Sequence, residues 1–458
     1  MSPSRIGLLT LLCCAITAPP LTAVEPESSS LAAAAGASGS WPQWRGPGGS
    51  GIASGGTIPM NWQGPDRVLW KTEIEGRGHS SPVVWGDRVF LTTAIAGEPS
   101  AGAEAPKHRV GGREFLHPDS MGANLRHTFK VLAIDRDSGE VAWSETAYEG
   151  RVYDNRHKAG SYASPTVATD GHRIYAYFGS QGVYAYDFAG ELVWSRDIGN
   201  IRSAGLGVGT SPVLYDGVLV LQVDEDEGEL SFILGLDAES GEQLWKVARA
   251  VQASYTTPIL VEDKGGRTQL ITSGNEFVIA YDPATGAEIW RAEGLDSHAI
   301  HIPLGAEGLV VVTTGYPKKL TKAFDLLGEE DLARRRTARW MYTKGTGYVA
   351  SNLLYDGLLY LTNDGGVITC LDAATGEIVY EGGRAATGGP YMASLVAADD
   401  KILMINRAGD ATFFKAGREH EILGTASIDE PVYATPALVD GRIYIRGERH
   451  LYAIGGGP

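Results

Sequence analysis

Residues 162–194, YASPTVATDGHRIYAYFGSQGVYAYDFAGELVW, contain the pattern that decides the fold. Asp170-Gly171 is a pair that can adopt the positive φ angles of a tight hairpin turn, and alternating apolar residues follow it. A second hairpin crosses residues 179–182, and Gly190 suits a left-handed turn residue before the last apolar run. The stretch predicts four short antiparallel strands, at residues 164–168, 174–178, 183–188 and 192–194.

Variants of this unit recur along most of the chain. A four-stranded sheet has two faces that it cannot bury alone, so such units are stable only when they stack on neighbours. Counting from Pro165, the matching positions stand 47, 46, 45, 48, 43 and 42 residues apart, which is the period of a propeller blade. The positions that match Pro165 are Pro82, Pro212, Pro258, Pro303, Ser351, Ser394 and Pro436.

The ends of five units carry near-matches to a more specific pattern, Ala-x-Asp-x-x-Thr-Gly-x-x-x-Trp. It resembles the tryptophan-docking motif of the pyrroloquinoline quinone (PQQ) type propellers, and the resemblance covers nearly all of residues 62–454. It implies that the tryptophans are structural. Tyr380 replaces the tryptophan in blade six, and blade five lacks the pattern, with residues 328–337 suited to a short helix instead. The docking tryptophans are Trp70, Trp143, Trp194, Trp245 and Trp290.

The two ends of the repeat region complete each other. Residues 68–71 have the sequence of a last strand without the three strands before it, and residues 433–454 provide three strands without a fourth. Joining them closes the ring, removes both open sheet edges and brings the count to eight. We therefore predict an all-β fold, an eight-bladed β-propeller of four-stranded antiparallel blades. Because no linker separates the repeats, residues 41–458 are expected to form a single domain.

The first residues have the features of an export signal. Arg5 precedes an apolar run, residues 6–18, that is too short to span a bilayer, and residues 21–23 offer a cleavage site. We expect a signal peptide at residues 1–23 and a disordered linker of Ser, Ala and Gly at residues 24–40. The protein is then periplasmic or secreted, without a convincing lipid-attachment site or a transmembrane segment in the mature chain.

Charge and cysteine content narrow the possible partners. The formal net charge is −16, from 55 acidic and 39 basic side chains, which disfavours a nucleic-acid surface.

Only Cys370 follows the signal, so the mature chain cannot form an intramolecular disulfide. Cys370 lies in an apolar run, residues 367–371, and is predicted to be a buried core residue. We expect a monomer.

Candidate binding residues lie in the loops that join the outer strand of one blade to the inner strand of the next. These loops, which we call lead-in segments, open on the central funnel of a propeller, so their side chains can meet a ligand. The alternative is that the tyrosines only plug the centre by ring packing. The candidates are His79, Lys158, Tyr162, Tyr255, His301, Tyr348, Tyr391 and Tyr433.

Two polar segments invite a metal interpretation. Blade one is interrupted between its second and third strands by residues 96–128, which hold Asp119 and three histidines. Zinc ligands usually stand at short fixed spacings, whereas these histidines are nine and ten residues apart, so we expect a flexible polar cap and no metal site. Residues 224–227 are acidic but lack a distal bidentate Glu, so a solvated loop is favoured over a calcium site. The three histidines are His108, His117 and His127.

The resemblance implies two functional classes. PQQ-dependent dehydrogenases hold the quinone in the funnel beside calcium and a vicinal cysteine disulfide, with an Asp as base. The BamB-like, non-enzymatic branch has the same blades and binds partner proteins in the envelope, and the sequences at residues 41–47 and 78–82 are similar to secreted PQQ-like repeat proteins. This chain has no adjacent cysteines after the signal.

We therefore interpret the chain as a non-enzymatic binding or scaffolding module of the cell envelope without a cofactor. Its funnel face and the insertion of blade one would contact an envelope protein or a small-molecule ligand. The alternative is a PQQ-dependent oxidoreductase with PQQ and calcium, in which Lys158 and His301 contact the quinone.

Overall fold

Short turns join successive strands into antiparallel sheets throughout the computed structural model. It describes residues 1, 39–62, 67–102, 104–293, 295, 298–306, 308–326 and 337–455. The strands form eight four-stranded sheets and two two-stranded pairs, and the helices among the described residues are single 3-10 turns. The predicted all-β, eight-bladed propeller is confirmed, with each four-stranded sheet as one blade.

The first half of the ring contains blades one to four. Strand β1 (Val68–Glu73) precedes them. Blade one consists of β2 (Val83–Trp85), β3 (Arg88–Pro99), β7 (Leu125–Asp135) and β8 (Val141–Arg151), with β4 (His108–Val110), β5 (Arg113–Phe115) and β6 (Ser120–Met121) between β3 and β7. After β9 (Arg156–His157) come blade two, β10 (Ala168–Thr169), β11 (Arg173–Tyr177), β12 (Val183–Asp187) and β13 (Leu192–Arg196), and blade three, β14 (Val213–Tyr215), β15 (Val218–Val223), β16 (Phe232–Asp237) and β17 (Gln243–Ala248). Blade four is β18 (Ile259–Glu262), β19 (Thr268–Ser273), β20 (Phe277–Tyr281) and β21 (Glu288–Glu293).

The second half contains blades five to eight. Blade five is β22 (Leu304–Ala306), β23 (Leu309–Thr314), β24 (Leu320–Asp325) and β25 (Trp340–Tyr342), and blade six is β26 (Leu353–Tyr355), β27 (Leu358–Thr362), β28 (Val367–Asp372) and β29 (Ile378–Arg384). Blade seven is β30 (Val396–Ala398), β31 (Lys401–Ile405), β32 (Asp410–Lys415) and β33 (Ile422–Ser427). Blade eight is β34 (Ala437–Val439), β35 (Arg442–Arg446) and β36 (His450–Gly455), completed by β1.

Blade two shows why the repeat folds as it does. Asp170 Oδ1 accepts hydrogen bonds from the backbone N–H groups of His172 and Arg173 at 2.8 and 2.7 Å, which fixes the predicted tight turn. Along β11, alternate residues pack on opposite neighbours: Ile174 belongs to the core shared with blade one, and Tyr175 to the core shared with blade three. The period of two thus buries both faces of the sheet. The inner strand is shorter than predicted.

The outer strand of blade eight comes from the start of the ring. Strand β1 pairs antiparallel with β36, from Trp70 opposite Ala453 to Glu73 opposite His450. The three-stranded unit at the end of the repeats thereby gains its fourth strand, and the pairing covers the edge that β36 would otherwise leave open.

Adjacent blades are held together by a contact between an indole ring and a glycine. Each such glycine has a positive φ of 72–91° in the last turn of the following blade. A methyl group added there would lie 2.5–3.0 Å from an indole carbon, so the ring can dock only on Gly. The pairs are Trp70–Gly139, Trp143–Gly190, Trp194–Gly241, Trp245–Gly286 and Trp340–Gly376.

The aspartate of the motif shapes the turn on which the indole docks. In blade three, Asp237 Oδ1 accepts hydrogen bonds from the backbone N–H and the hydroxyl of Ser240, at 2.7 and 2.8 Å. The carbonyl of the next residue, Ala238, accepts the indole N–H of Trp194 at 3.0 Å. The same indole-to-carbonyl bond follows the motif aspartate for Trp70, Trp143 and Trp340.

Two further tryptophans flank blade five, where residues 327–336 lie outside the described part of the chain. Trp340, which sequence analysis missed, supplies the docking ring of blade five. Trp290 is buried and donates its indole N–H to Gln269 of its own blade at 2.8 Å. Blade five thus supplies a docking ring without carrying the motif itself, because the receiving turn belongs to blade six.

The N-terminal segment, residues 41–53, ties the inner strands together across the central channel. Trp41 forms an isolated β-bridge with Val84 of blade one, and Ile52 forms one with Ala397 of blade seven. Arg45 is fully buried and donates to the carbonyls of Ser351 and Asn352 before blade six, at 3.4 and 2.9 Å. The segment therefore acts as a brace between blades far apart in sequence.

Some expectations concern residues outside the described part of the chain. The predicted signal peptide at residues 1–23, most of the linker at residues 24–40 and the short helix at residues 328–337 fall there almost entirely. Among the described residues, no helix combines the length and apolar character that a membrane span requires. Cys370 is buried as predicted, and burial raises the pKa of its thiol to about 12.

The docking contact can be tested with two glycines of blade three. Both Gly241 and Gly217 have a positive φ, 73° and 76°, so either alanine substitution carries a backbone cost of about 1–2 kcal/mol. Only Gly241 faces an indole, that of Trp194, so we expect Gly241→Ala to lose a further 1–3 kcal/mol, roughly, through overpacking. Urea unfolding of both variants measures this difference. Equal losses would contradict the docking role.

Candidate functional site

The lead-in segments of all eight blades meet in one cavity of about 360 Å³ at the centre of the ring. Its wall combines apolar side chains with aromatic and imidazole rings. From blade one to blade eight, the lead-in segments contribute His79; His157, Ala159, Gly160 and Ser164; Leu206; Tyr255; Ile300; Tyr348 and Val349; Met392; and Tyr433. The insertion of blade one adds His117. The cavity is therefore the candidate binding site.

Half of the predicted funnel residues line this cavity. His79, Tyr255, Tyr348 and Tyr433 do so. The other four do not, and for three of them the reason is that neighbouring residues of an extended segment point to opposite sides. In three of these four places the adjacent residue lines the cavity instead: His157 in place of Lys158, Ile300 in place of His301, and Met392 in place of Tyr391.

The four misplaced candidates have other partners. Lys158 is paired with Asp119 at 2.9 Å, and its side chain is 61% exposed. The Tyr162 hydroxyl donates to the Asp154 carbonyl at 2.9 Å. His301 is buried against the Gly347 carbonyl, and burial lowers its pKa to about 4. Tyr391 is 1% exposed and donates to the Thr387 carbonyl, as the ring-packing alternative predicted for the tyrosines.

A stacked pair of rings forms one wall of the cavity. His79 and Tyr433 lie parallel, with centroids 4.5 Å apart and an interplanar angle of 8°. Burial, together with the charges of Arg77, Arg446 and Arg156, lowers the pKa of His79 to about 3. His79 is therefore a neutral ring at physiological pH, which suits flat stacking with a ligand or a partner side chain.

Four arginines lie near this wall, and their described hydrogen-bond partners are neutral groups. Arg77 and Arg156 donate to backbone carbonyls of residues 157–159, and Arg446, 2% exposed, donates to the Ser80 hydroxyl and the Thr92 carbonyl. Arg407 lies 5.9 Å from the ring centre of Tyr433. None of the four arginines pairs with a carboxylate in the part of the chain that the structure describes.

The described residues of the insertion, 96–102 and 104–128, form strands and turns, contrary to the expectation of a flexible cap. Strands β3 and β7 extend into it, with Ala96 opposite His127, and β4 and β5 form a hairpin. His108 is 1% exposed and lies between two carboxylates, 3.0 Å from Asp154 and 3.0 Å from Asp226. A buried imidazolium therefore joins the insertion to blades two and three.

The acidic run of blade three was wrongly predicted to be a solvated loop. Asp224, Glu225 and Asp226 are 7%, 5% and 2% exposed. Asp224 forms an ion pair with the buried Arg249 at 2.8 Å, and Asp226 forms one with His108 at 3.0 Å. Arg249 belongs to the same blade, whereas His108 lies 118 residues away, and these ion pairs hold the blade and the insertion in place.

Comparisons with known proteins agree with this architecture. The family model described as outer membrane protein assembly factor BamB matches residues 127–264 and 231–327. The BamB of Bordetella pertussis is 26% identical over 201 residues, which are 43% of this chain and 46% of that protein. The match thus spans less than half the length of this curated relative.

Solved structures extend the likeness to most of the chain. BamB from Moraxella catarrhalis has a TM-score of 0.52 at 14% identity, covering 80% of this chain and 98% of that one. The chain therefore has the fold of the PQQ-like β-propellers. Quinohemoprotein alcohol dehydrogenase from Comamonas testosteroni has a TM-score of 0.61 at 13% identity, covering 93% of this chain and 82% of that one. At these identities the structures show the fold alone.

The cavity of the propeller does not fit a calcium–quinone pair. Calcium prefers about six to eight oxygen ligands, mainly carboxylates and carbonyls. The described lining supplies imidazoles, phenols and one hydroxyl, and no carboxylate or amide side chain. Asp119, a carboxylate beside this rim, is already paired with Lys158. The single described cysteine, Cys370, lies in blade six, away from the lining.

The buried imidazolium makes stability depend on pH. Burial alone would lower the pKa of His108, but its bonds to Asp154 and Asp226 outweigh this and raise it from 6.5 to about 9. The stabilisation is therefore complete below pH 6.5 and lost as the pH rises through about 9. The difference corresponds to roughly 3 kcal/mol.

We expect the free energy of unfolding of the wild type to fall by roughly 3 kcal/mol between about pH 6.5 and pH 10. Urea unfolding at each pH measures this fall. His108→Gln should be less stable at neutral pH and should lack this alkaline decline. An identical decline in both proteins would show that the His108 bridge is not its cause.

Proposed function

We propose that this PQQ-like propeller is a non-enzymatic binding module of the cell envelope that holds its ligand or partner at the funnel face. The observation that carries the proposal is the convergence of all eight lead-in segments on one cavity. A ring of blades needs no such cavity for its own stability, because the blades are held by the indole contacts.

The charge beside the His79–Tyr433 wall favours a ligand that carries an acidic group. Buried charges are normally paired, yet Arg446 is buried, and Arg77 and Arg156 face carbonyls without a carboxylate partner among the described residues. The whole chain has a net charge of −16, so this positive patch is a local exception. An electropositive cleft concentrates anionic ligands at its mouth.

The size of the cavity limits what enters it. Small-molecule pockets in proteins typically have volumes of about 300–1,000 Å³, and this cavity, at 360 Å³, lies near the lower end. A small acidic molecule or one anchoring side chain of a partner protein fits this space. The stacked His79–Tyr433 wall offers such a group a flat apolar surface.

The envelope location rests on the predicted export signal and on the nature of the relatives. Residues 1–23 carry the pattern of a signal peptide. The Bordetella relative is named an outer membrane protein assembly factor. A binding or scaffolding role in the same compartment is consistent with both.

Position-specific crosslinking tests the funnel as the binding face. A photo-crosslinking amino acid is placed at Tyr348, which is 43% exposed in the funnel, and in a second protein at Leu192, which is 52% exposed on an outer strand. We expect irradiation in envelope extracts to give a discrete adduct from position 348 and none from position 192. Adducts from position 192 alone would place binding on the outer strands and contradict the proposal.

The oxidoreductase alternative predicts a different response. Titration of the protein with PQQ and calcium, followed by melting temperature, is expected to give no stabilisation, because the lining lacks calcium ligands. A rise in melting temperature that requires both quinone and calcium would favour the dehydrogenase function over the binding module.

A further inference from the structure

Three potential metal ligands converge at the rim of the funnel. They are His117, Asp119 and His157, and one ligand atom of each lies within 4.8 Å of the others. Two come from the insertion of blade one and the third from the lead-in segment of blade two. The two imidazoles also line the funnel cavity, whereas the carboxylate stands beside it.

The backbone holds the two segments in register. Strand β6 pairs with β9, which places Ser120 opposite His157. The backbone N–H of Lys158 donates to the carbonyl of Asp119 at 2.7 Å, and that of His157 donates to the carbonyl of Leu206 at 3.1 Å. The ligand-bearing residues are therefore fixed on paired backbone, as a site must be to bind with precision.

We propose that His117, Asp119 and His157 bind a divalent first-row transition metal ion of the zinc type, with an open coordination position facing the funnel. Two imidazoles and one carboxylate form a donor set for zinc, cobalt, nickel or iron, whereas calcium prefers oxygen alone. Three protein ligands with one open position are typical of metal sites that bind an external molecule.

Sequence spacing could not reveal this site. The expectation of no metal compared only the histidines inside the insertion, which stand nine and ten residues apart. The third ligand, His157, lies 38 residues beyond Asp119 and arrives through the pairing of β6 with β9.

Metal binding must displace existing hydrogen bonds. The Nδ1 atom of His117 accepts the backbone N–H of Asp119 at 3.1 Å, and that of His157 accepts the backbone N–H of Ala159 at 3.1 Å. Ligation through Nε2 moves each proton to Nδ1 and gives up these two bonds, which weakens binding by about tenfold for each. A tetrahedral zinc ion also needs its ligands roughly 3.3 Å apart, so the side chains must draw together. We therefore expect micromolar and not nanomolar affinity, on the order of 10 μM.

Lys158 competes with the metal for the carboxylate. Its ammonium lies 2.9 Å from Asp119, and its side chain is 61% exposed, so it can move into solvent when a metal ion enters. Removal of Lys158 should therefore strengthen metal binding, the opposite of the effect of removing a histidine. A cluster that only pairs Asp119 with Lys158 would show neither effect.

Titration of the tag-free, metal-stripped full chain with Co²⁺ tests the site, because bound cobalt absorbs visible light. We expect one equivalent to bind, Zn²⁺ to displace it and Ca²⁺ to leave the spectrum unchanged. His117→Ala and His157→Ala should weaken cobalt binding at least tenfold, and Lys158→Met should strengthen it several-fold. The matched control is His172→Ala, an exposed histidine in the first turn of blade two, and it should bind cobalt like the wild type.

Melting curves of the metal-free variants show whether each one folds, so that loss of ligation is distinguished from loss of folding. Asp119→Asn takes the place of either histidine variant that does not fold. No stoichiometric cobalt binding by the wild type, or equal affinity in the wild type and His157→Ala, would overturn the proposal. The result is independent of the proposed function, because the crosslinks from position 348 do not require a metal ion.

Discussion

The contact between an indole ring and a glycine of positive φ is the constraint on which the rest of the structure depends. The ring approaches the glycine so closely that a methyl group there would lie within 3.0 Å of an indole carbon. The motif aspartate, three or four residues before the glycine, shapes the turn. The backbone carbonyl of the residue after that aspartate accepts the indole N–H of Trp70, Trp143 and Trp194. Among the described residues this contact recurs at five blade junctions, where it fixes neighbouring blades against each other, and the ring closes on the pairing of β1 with β36.

A closed ring brings eight lead-in segments to one place, and this convergence creates the candidate site. The brace formed by residues 41–53 crosses the channel between the inner strands, and the cavity remains at the lead-in end. The insertion of blade one is fixed beside this cavity by the buried His108 between Asp154 and Asp226. A side chain of the insertion, His117, thereby becomes part of the cavity wall.

Features set by local sequence could be predicted, and features set by distant partners could not. The blade count, the Asp170-Gly171 turn and most docking tryptophans follow from spacing within one repeat. Trp340 was missed because blade five lacks the motif. The burial of Asp224–Asp226 could not be foreseen, because His108 lies 118 residues from Asp226. Which lead-in side chains face the funnel depends on the alternation of one extended segment, so a shift of one residue exchanged His301 for Ile300.

The central claim is that the funnel mouth, and not the outer strands, receives the ligand or partner. Hydrogen exchange of the protein alone and of the complex recovered from its native envelope tests this claim most directly. The account predicts slower exchange in the lead-in segments, at residues 156–164, 205–210 and 346–350, with the outer strands unchanged. Slower exchange confined to outer strands such as Leu192–Arg196 and Gln243–Ala248 would contradict it.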